Sequence, residues 1–195
     1  MKLGHFCVWV VTLPLAITLV AQSPTIETSG WKPYKNANYN FVVKYPVQWS
    51  TYEGITKNGA RMTPRNTKQF RLRPEIGVGG SVGQPSETDE KRSQNIEEDF
   101  QVGLSALKEY GNARNLTVLS KTSTTVQGLP AIESTIRYED SSTGHIWFYK
   151  QILVHADSDS TSYHLSLRCS PDDVSVLIPV FDALRKTFRI RGPRA

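Results

Sequence analysis

The chain has 195 residues, 38% of them hydrophobic and 21% charged, with a formal net charge of +5. A chain of this length fits one domain and buries roughly 70% of its unfolded surface, so it needs neither a disulfide nor a metal ion to fold. Of its two cysteines, only Cys169 lies outside the N-terminal segment that we expect to be removed. A lone cysteine excludes an internal disulfide.

Residues 1–21 have the pattern of a secretory signal peptide. Lys2 is their only charged residue, and the apolar run Phe6–Val20 is shorter than the ~20 residues that span a bilayer. The small residue Ala21 suits a cleavage site, although Leu19 is larger than is usual three positions before the cut. We therefore expect a secreted or periplasmic protein, and a retained membrane anchor stays open as the alternative.

The next segment, residues 22–33, is polar and rich in turn-forming residues, which predicts a flexible leader. From Tyr39 to Tyr45 apolar and polar residues alternate, as in a strand, and Pro46 is placed to end it. Phe41, Val43 and Tyr45 are expected to face inward. Trp49 is expected to fold back against the end of the sheet, with a lid over a ligand site as the alternative.

A basic run and a glycine-rich run follow. Residues 61–73 carry five basic side chains and no acid, and so do residues 184–195. Both segments suit an anionic partner, with a solvated basic loop and tail as the alternative, and 191–195 are predicted to be a basic tail. The glycines of residues 75–83 predict a strand with a bend or bulge, because their spacing does not match a phosphate-binding loop.

A helix is predicted over residues 90–110. Apolar residues recur on one side at helical spacing, acidic residues lie on the other, and Gly111 is placed to end it. The predicted buried stripe consists of Ile96, Phe100, Leu104, Leu107 and Tyr110. Glu97, Glu98 and Asp99 are predicted to face away from the sheet.

Four alternating segments, 115–127, 129–139, 145–156 and 161–169, then predict antiparallel strands, because their short connections exclude parallel pairing. In the predicted register of the last hairpin, His155 lies opposite Ser162 and Leu153 lies opposite His164. A final helix begins after Ser170 as the N-cap with Pro171 at its first position. Pro179 inside this helix is expected to kink it.

The chain resembles the PsbP-like domains over residues 34–190. The resemblance is carried by the aromatic-rich opening strand, the "YP" at Tyr45–Pro46, Trp49, and the later order of helix, strands and a terminal helix ending in "LRKTFRI". It implies an α+β fold, an αβα sandwich with a central antiparallel sheet of about six strands packed by two main helices. It also implies a binding role rather than catalysis, and it assigns no site residue.

Metal-binding patterns in the sequence are incomplete. His155 and His164 are predicted to be diagonal neighbours on one sheet face, but a third ligand is missing. Asp157 with Asp159, and Glu139 with Asp140, supply carboxylates for calcium in two turns, yet neither turn supplies 6–8 oxygens. We therefore expect no cofactor, with calcium as the remaining alternative.

The candidate binding face lies on the hairpin 145–169, where wide aromatic and polar side chains mix: Trp147, Tyr149, His155, His164 and Arg168. The alternative is that a helix covers this face. We expect a monomeric, non-enzymatic binding or assembly-accessory protein with a protein partner and no nucleic acid. Two further alternatives are a hydrolase that uses the His155/His164 face and, if the N-terminal segment is retained, a membrane-anchored stability factor.

Overall fold

A computed structural model of the chain describes residues 26–54, 56–82, 89–156 and 161–191, with the backbone alone for 89–95. The predicted signal peptide, the predicted turn at 157–160 and all but one residue of the predicted tail therefore lie outside the described residues. Within these described ranges, no helix is long and apolar enough to cross a membrane.

The described residues form two antiparallel sheets and two main helices. The seven strands of the main sheet lie in the order β3-β4-β5-β9-β8-β7-β6, and the small sheet has the order β1-β2-β10. The strands are β1 (Lys32–Asn36), β2 (Phe41–Tyr45), β3 (Trp49–Glu53), β4 (Gly59–Pro64), β5 (Glu75–Val82), β6 (Ala113–Val126), β7 (Leu129–Asp140), β8 (Ile146–Ala156), β9 (Thr161–Cys169) and β10 (Arg189–Ile190). The helices are α1 (Asp89–Glu109) and α2 (Val174–Thr187). The α+β sandwich is confirmed.

The opening strand lies in the small sheet. Phe41 and Val43 are 1% and 0% exposed, and β2 ends directly before Pro46 as predicted. Trp49 is buried and begins β3, packed into the larger core. The strand β1 begins at Lys32, so the last two residues of the expected leader are part of the small sheet.

One face of the main sheet is apolar and carries the larger core. Alternate side chains of β4, β5, β8 and β9 pack there against α2 and the small sheet. A short 3₁₀ turn, Pro171–Asp173, precedes α2, and the Ser170 hydroxyl accepts a hydrogen bond from the Asp172 N–H at 3.4 Å, which is the predicted cap. The helix continues as one element through Pro179.

The other face carries α1, which packs mainly against β6, β7 and β8. Ile96 and Phe100 are buried in this second core, as their spacing predicts. Two details differ from the prediction. Tyr110 is 78% exposed because α1 ends before it, and Asp99 points toward the sheet, where it accepts a hydrogen bond from Ser162 at 2.7 Å.

Candidate binding site

A cavity of about 530 Å³ lies on the α1 side of the sheet, between the end of α1 and strands β4, β5 and β9. Its floor depends on glycines of β5. An added Cβ at Gly79 would lie 2.4 Å from His164 Cε1, and one at Gly77 would lie 2.7 Å from Ser166 Oγ. Of the expected bend or bulge, the bulge is wrong, because β5 pairs with β9 in unbroken register from Glu75 to Val82. The glycines instead make room for the side chains of β9.

Arg168 is the central charge of this cavity. Its guanidinium carbon lies 4.6 Å from the centroid of the Trp147 ring, and its positive charge opposes the burial that raises the pKa of Tyr138. Its direct cross-strand neighbour Glu75 pairs instead with Arg61, at 3.7 Å between Oε1 and Nε. Among the described side chains, no carboxylate forms an ion pair with Arg168, and its buried Nε has no hydrogen-bond partner.

The two buried tyrosines and the histidine of the cavity are held uncharged near neutral pH. Burial raises the pKa of Tyr149, and the side chain of Ser166 only partly offsets this. Burial likewise raises the pKa of Tyr138, and Arg168 only partly offsets this. Burial lowers the pKa of His164, which favours the neutral imidazole. The cavity therefore combines these neutral hydrogen-bonding groups with the Arg61–Glu75 ion pair and the positive charge of Arg168.

A second cavity, of about 610 Å³, adjoins the first, and the two share Arg61, Glu75 and Arg168. It adds Arg73, whose Nη2 donates to Thr63 Oγ1 at 3.0 Å. Exposed aromatic rings border the pair, with Tyr110 (78% exposed) at the first cavity and Tyr52 (68% exposed) at the second. We call the two adjoining cavities the Arg168 cleft.

The five predicted binding residues share one sheet face but not one environment. Tyr149, His164 and Arg168 line the first cavity, and Trp147 lines the second. His155 is 1% exposed, enclosed on the α1 side. The predicted register is confirmed, since His155 pairs with Ser162 and Leu153 pairs with His164. Helix α1 therefore covers one end of the predicted face and leaves the other open.

The buried hydrogen bonds around His155 run in the order acid, serine, imidazole. The Ser162 hydroxyl donates to Asp99 Oδ2 at 2.7 Å, so its oxygen accepts from Nδ1 of His155 at 3.2 Å. In a hydrolytic triad the imidazole stands between the acid and the serine and takes the serine proton. Here the serine hydroxyl donates its hydrogen bond to the acid and not to the imidazole, so these hydrogen bonds join α1, β8 and β9 in an order that differs from a triad.

The carboxylates of the predicted calcium turn are engaged by the protein. Glu139 binds Arg114 and Asn115, and Asp140 accepts hydrogen bonds from the two residues that follow Ser141 in its own turn. The other predicted turn, with Asp157 and Asp159, lies outside the described residues. In the part of the chain that the structure describes, no three His, Cys, Asp or Glu side chains are grouped to hold a metal ion.

The sequence-based prediction missed part of the Arg168 cleft. Arg61 and Glu75 come from β4 and β5, and Tyr138 comes from β7. One signal was available, because glycines at alternate positions of a strand, here Gly77 and Gly79, indicate large neighbours on one face of the sheet. Which strand supplies those neighbours depends on the pairing of β5 with β9, which no local pattern predicts.

No protein-family model matches the sequence, and no curated protein matches it either. Solved structures do match. The cyanobacterial PsbP (CyanoP) of Synechocystis has a TM-score of 0.61 at 10% identity, covering 88% of this chain and 99% of that one. LpqN of Mycobacterium tuberculosis, involved in cell envelope biogenesis, has a TM-score of 0.58 at 13% identity, covering 83% and 91%.

The Ran-binding protein Mog1p of Saccharomyces cerevisiae has a TM-score of 0.57 at 9% identity, covering 82% of this chain and 95% of its own. At such identities the likeness concerns the fold alone. Nevertheless, each of the three structures matches most of this chain, and the match includes nearly the full length of each structure. The chain therefore has the PsbP-like fold that its sequence predicts.

Proposed function

We propose that this protein is a non-enzymatic binding protein that docks a protein partner, or a larger assembly, through the Arg168 cleft. The observation that carries the proposal is the guanidinium of Arg168, which lines both cavities of the cleft and forms no ion pair with any described carboxylate, beside the exposed rings of Tyr52 and Tyr110. A cation without an acidic partner and exposed aromatic rings are groups that a bound protein can contact.

The residue types of the cleft support a protein as the partner. Tyr, Trp and Arg dominate the energetics of protein interfaces, and the cleft combines Tyr52, Tyr110, Trp147 and Arg168. Mog1p, which has a similar fold, is a Ran-binding protein. That likeness is a fold-level analogy and adds support without identifying the partner.

The proposal includes a cellular setting. The protein acts as a secreted or periplasmic monomer without a cofactor, after cleavage behind Ala21. Mass spectrometry of the exported protein tests the setting, with an N-terminus at Gln22 as the expected result. An uncleaved N-terminus would favour the membrane-anchored stability factor instead.

Co-purification from native cells tests the docking role. The expected result is that the wild type and the control Val176→Ala, an exposed site on α2, recover the same partner. Tyr52→Ala and Tyr110→Ala should each reduce recovery about tenfold, because exposed tyrosines at an interface act as anchors. Equal recovery by all four proteins would contradict docking at the cleft. Turnover of a generic ester that is lost in His164→Ala would favour the hydrolase.

A further inference from the structure

The Arg168 cleft contains more arginines than its own acidic side chains pair with. Three arginines line the second cavity, Arg61, Arg73 and Arg168, together with two acids, Glu75 and Asp140. Glu75 pairs with Arg61, and Asp140 is occupied by hydrogen bonds from its own turn. Within the described residues, Arg73 and Arg168 therefore have no carboxylate partner. An anion is the complement of this arrangement.

The guanidinium of Arg168 is held in one orientation. Its central carbon lies over the Trp147 ring, 4.6 Å from the ring centroid, and its Nε is buried. A planar guanidinium binds carboxylates through two parallel hydrogen bonds, and stacking on a ring leaves its edge free for them. Pre-orientation lowers the entropy cost of forming both bonds. Among common anions, a carboxylate fits this fork best.

We propose that Arg168, with Arg73 as a second contact, binds a carboxylate in an acidic segment of the protein partner. The proposal rests on the proposed function and adds the chemistry of the partner. Arg168 is shared by two cavities of about 530 and 610 Å³ that lead toward Tyr110 and Tyr52 respectively. A carboxylate bound at Arg168 therefore has room on both sides, which suits a chain that passes through the cleft.

Titration with an acetylated, amidated tetraglutamate peptide tests the proposal, with the matching tetraglutamine peptide as the neutral control. The readout is the indole N–H resonance of Trp147 in ¹H–¹⁵N spectra, assigned with Trp147→Phe. Tetraglutamate should shift it saturably, with Kd on the order of 1 mM, and higher salt should weaken the binding. Tetraglutamine should not shift it. No saturable shift with tetraglutamate, or equal shifts with both peptides, would overturn the proposal.

Two variants locate the site. Arg168→Gln should weaken tetraglutamate binding about tenfold or more, whereas Arg189→Gln, an exposed arginine on β10, should bind as the wild type does. If Arg168→Gln does not fold, the exposed Arg73→Gln replaces it and should weaken binding about threefold. Wild-type affinity in the folded cleft variant would overturn the proposal.

The two proposals fail separately. A partner recovered equally by the wild type and by Arg168→Gln would leave docking intact and overturn the carboxylate contact. Tetraglutamate binding without any recovered partner would leave the carboxylate contact intact and overturn the docking role. Acetate that reproduces the full tetraglutamate effect at the same concentration would identify a free small carboxylate as the ligand, which would overturn the partner segment.

Discussion

Gly59 and Gly103 are glycines in opposite surroundings. A Cβ at Gly59 would lie 2.0 Å from the Val78 carbonyl oxygen and 2.6 Å from the Gly79 Cα, both in the backbone of β5. A Cβ at Gly103, in the middle of α1, would meet no atom within 4 Å. A side chain at Gly59 would therefore force two paired strands apart, whereas a side chain at Gly103 would have free space.

We predict that Gly59→Ala destabilises the protein by about 2–3 kcal/mol, since backbone atoms of two paired strands must separate. Gly103→Ala should stabilise it by up to about 1 kcal/mol, because alanine favours the helix. Urea unfolding followed by far-UV circular dichroism measures both changes. A Gly59→Ala variant as stable as the wild type would contradict the close approach of β4 and β5.

Some of these residue contacts follow from the sequence and others do not. The pairing of His155 with Ser162 was predictable because both lie in one hairpin, where strand periodicity and turn position fix the register. The pairing of Glu75 with Arg168 joins residues more than ninety positions apart. Local periodicity has no information about such a contact, so the centre of the Arg168 cleft could not be predicted in full.

At the scale of elements, a half-buried charge cluster ties α2 to the main sheet. Glu133 on β7 forms ion pairs with Lys150 on β8 and with Arg185 on α2. The cluster explains why Lys150 interrupts the apolar face of β8. Burial acts to raise the pKa of Glu133, but its hydrogen bonds and attraction to Lys150 and Arg185 outweigh burial and hold that pKa below its ordinary value of 4.5.

We predict that Glu133→Gln destabilises the protein by about 1–2 kcal/mol at pH 7, between the values for exposed and buried pairs, because two cations then face each other. A carboxyl with a lowered folded pKa contributes stability above about pH 4.5 and loses it as the pH falls through the folded pKa. The variant should therefore lose less stability than the wild type between pH 5 and pH 3.

Urea unfolding across this pH range measures the free energy of unfolding of both proteins, with the exposed Glu98→Gln as the control. An unchanged pH profile in Glu133→Gln would contradict the ion cluster.

The elements themselves were predictable where periodicity is strong, as in α1, α2 and β6 to β9. The division into two sheets was not. The strand β2 pairs with β1 and with β10, so Val42 lies opposite both Lys35 and Arg189. The pairing of β2 with β10 depends on where α2 leaves the chain at its end. The alternation of side chains in β2 does not indicate that position.

At the scale of the whole molecule, the main sheet separates two cores, and Cys169 probes the larger one. Cys169 is 0% exposed, at the end of β9 opposite Phe148. Burial, together with the nearby Asp173, raises the pKa of its thiol to about 12. Thiol reagents attack the thiolate, so both access and ionisation are suppressed in the folded protein.

We predict that Cys169 reacts with iodoacetamide only when the whole domain unfolds, because β9 is the middle strand of the main sheet and contacts the larger core. Mass spectrometry of the peptide that contains Cys169 should show labelling that rises with urea in parallel with the unfolded fraction. A cysteine in place of Leu119, 55% exposed on β6, should be labelled without urea. Fast labelling of Cys169 without urea, with unchanged circular dichroism, would mean that the end of β9 opens locally. Since Arg168 lies next to Cys169 on that strand, such opening would also mean that the cleft is not held rigid by the sheet beneath it.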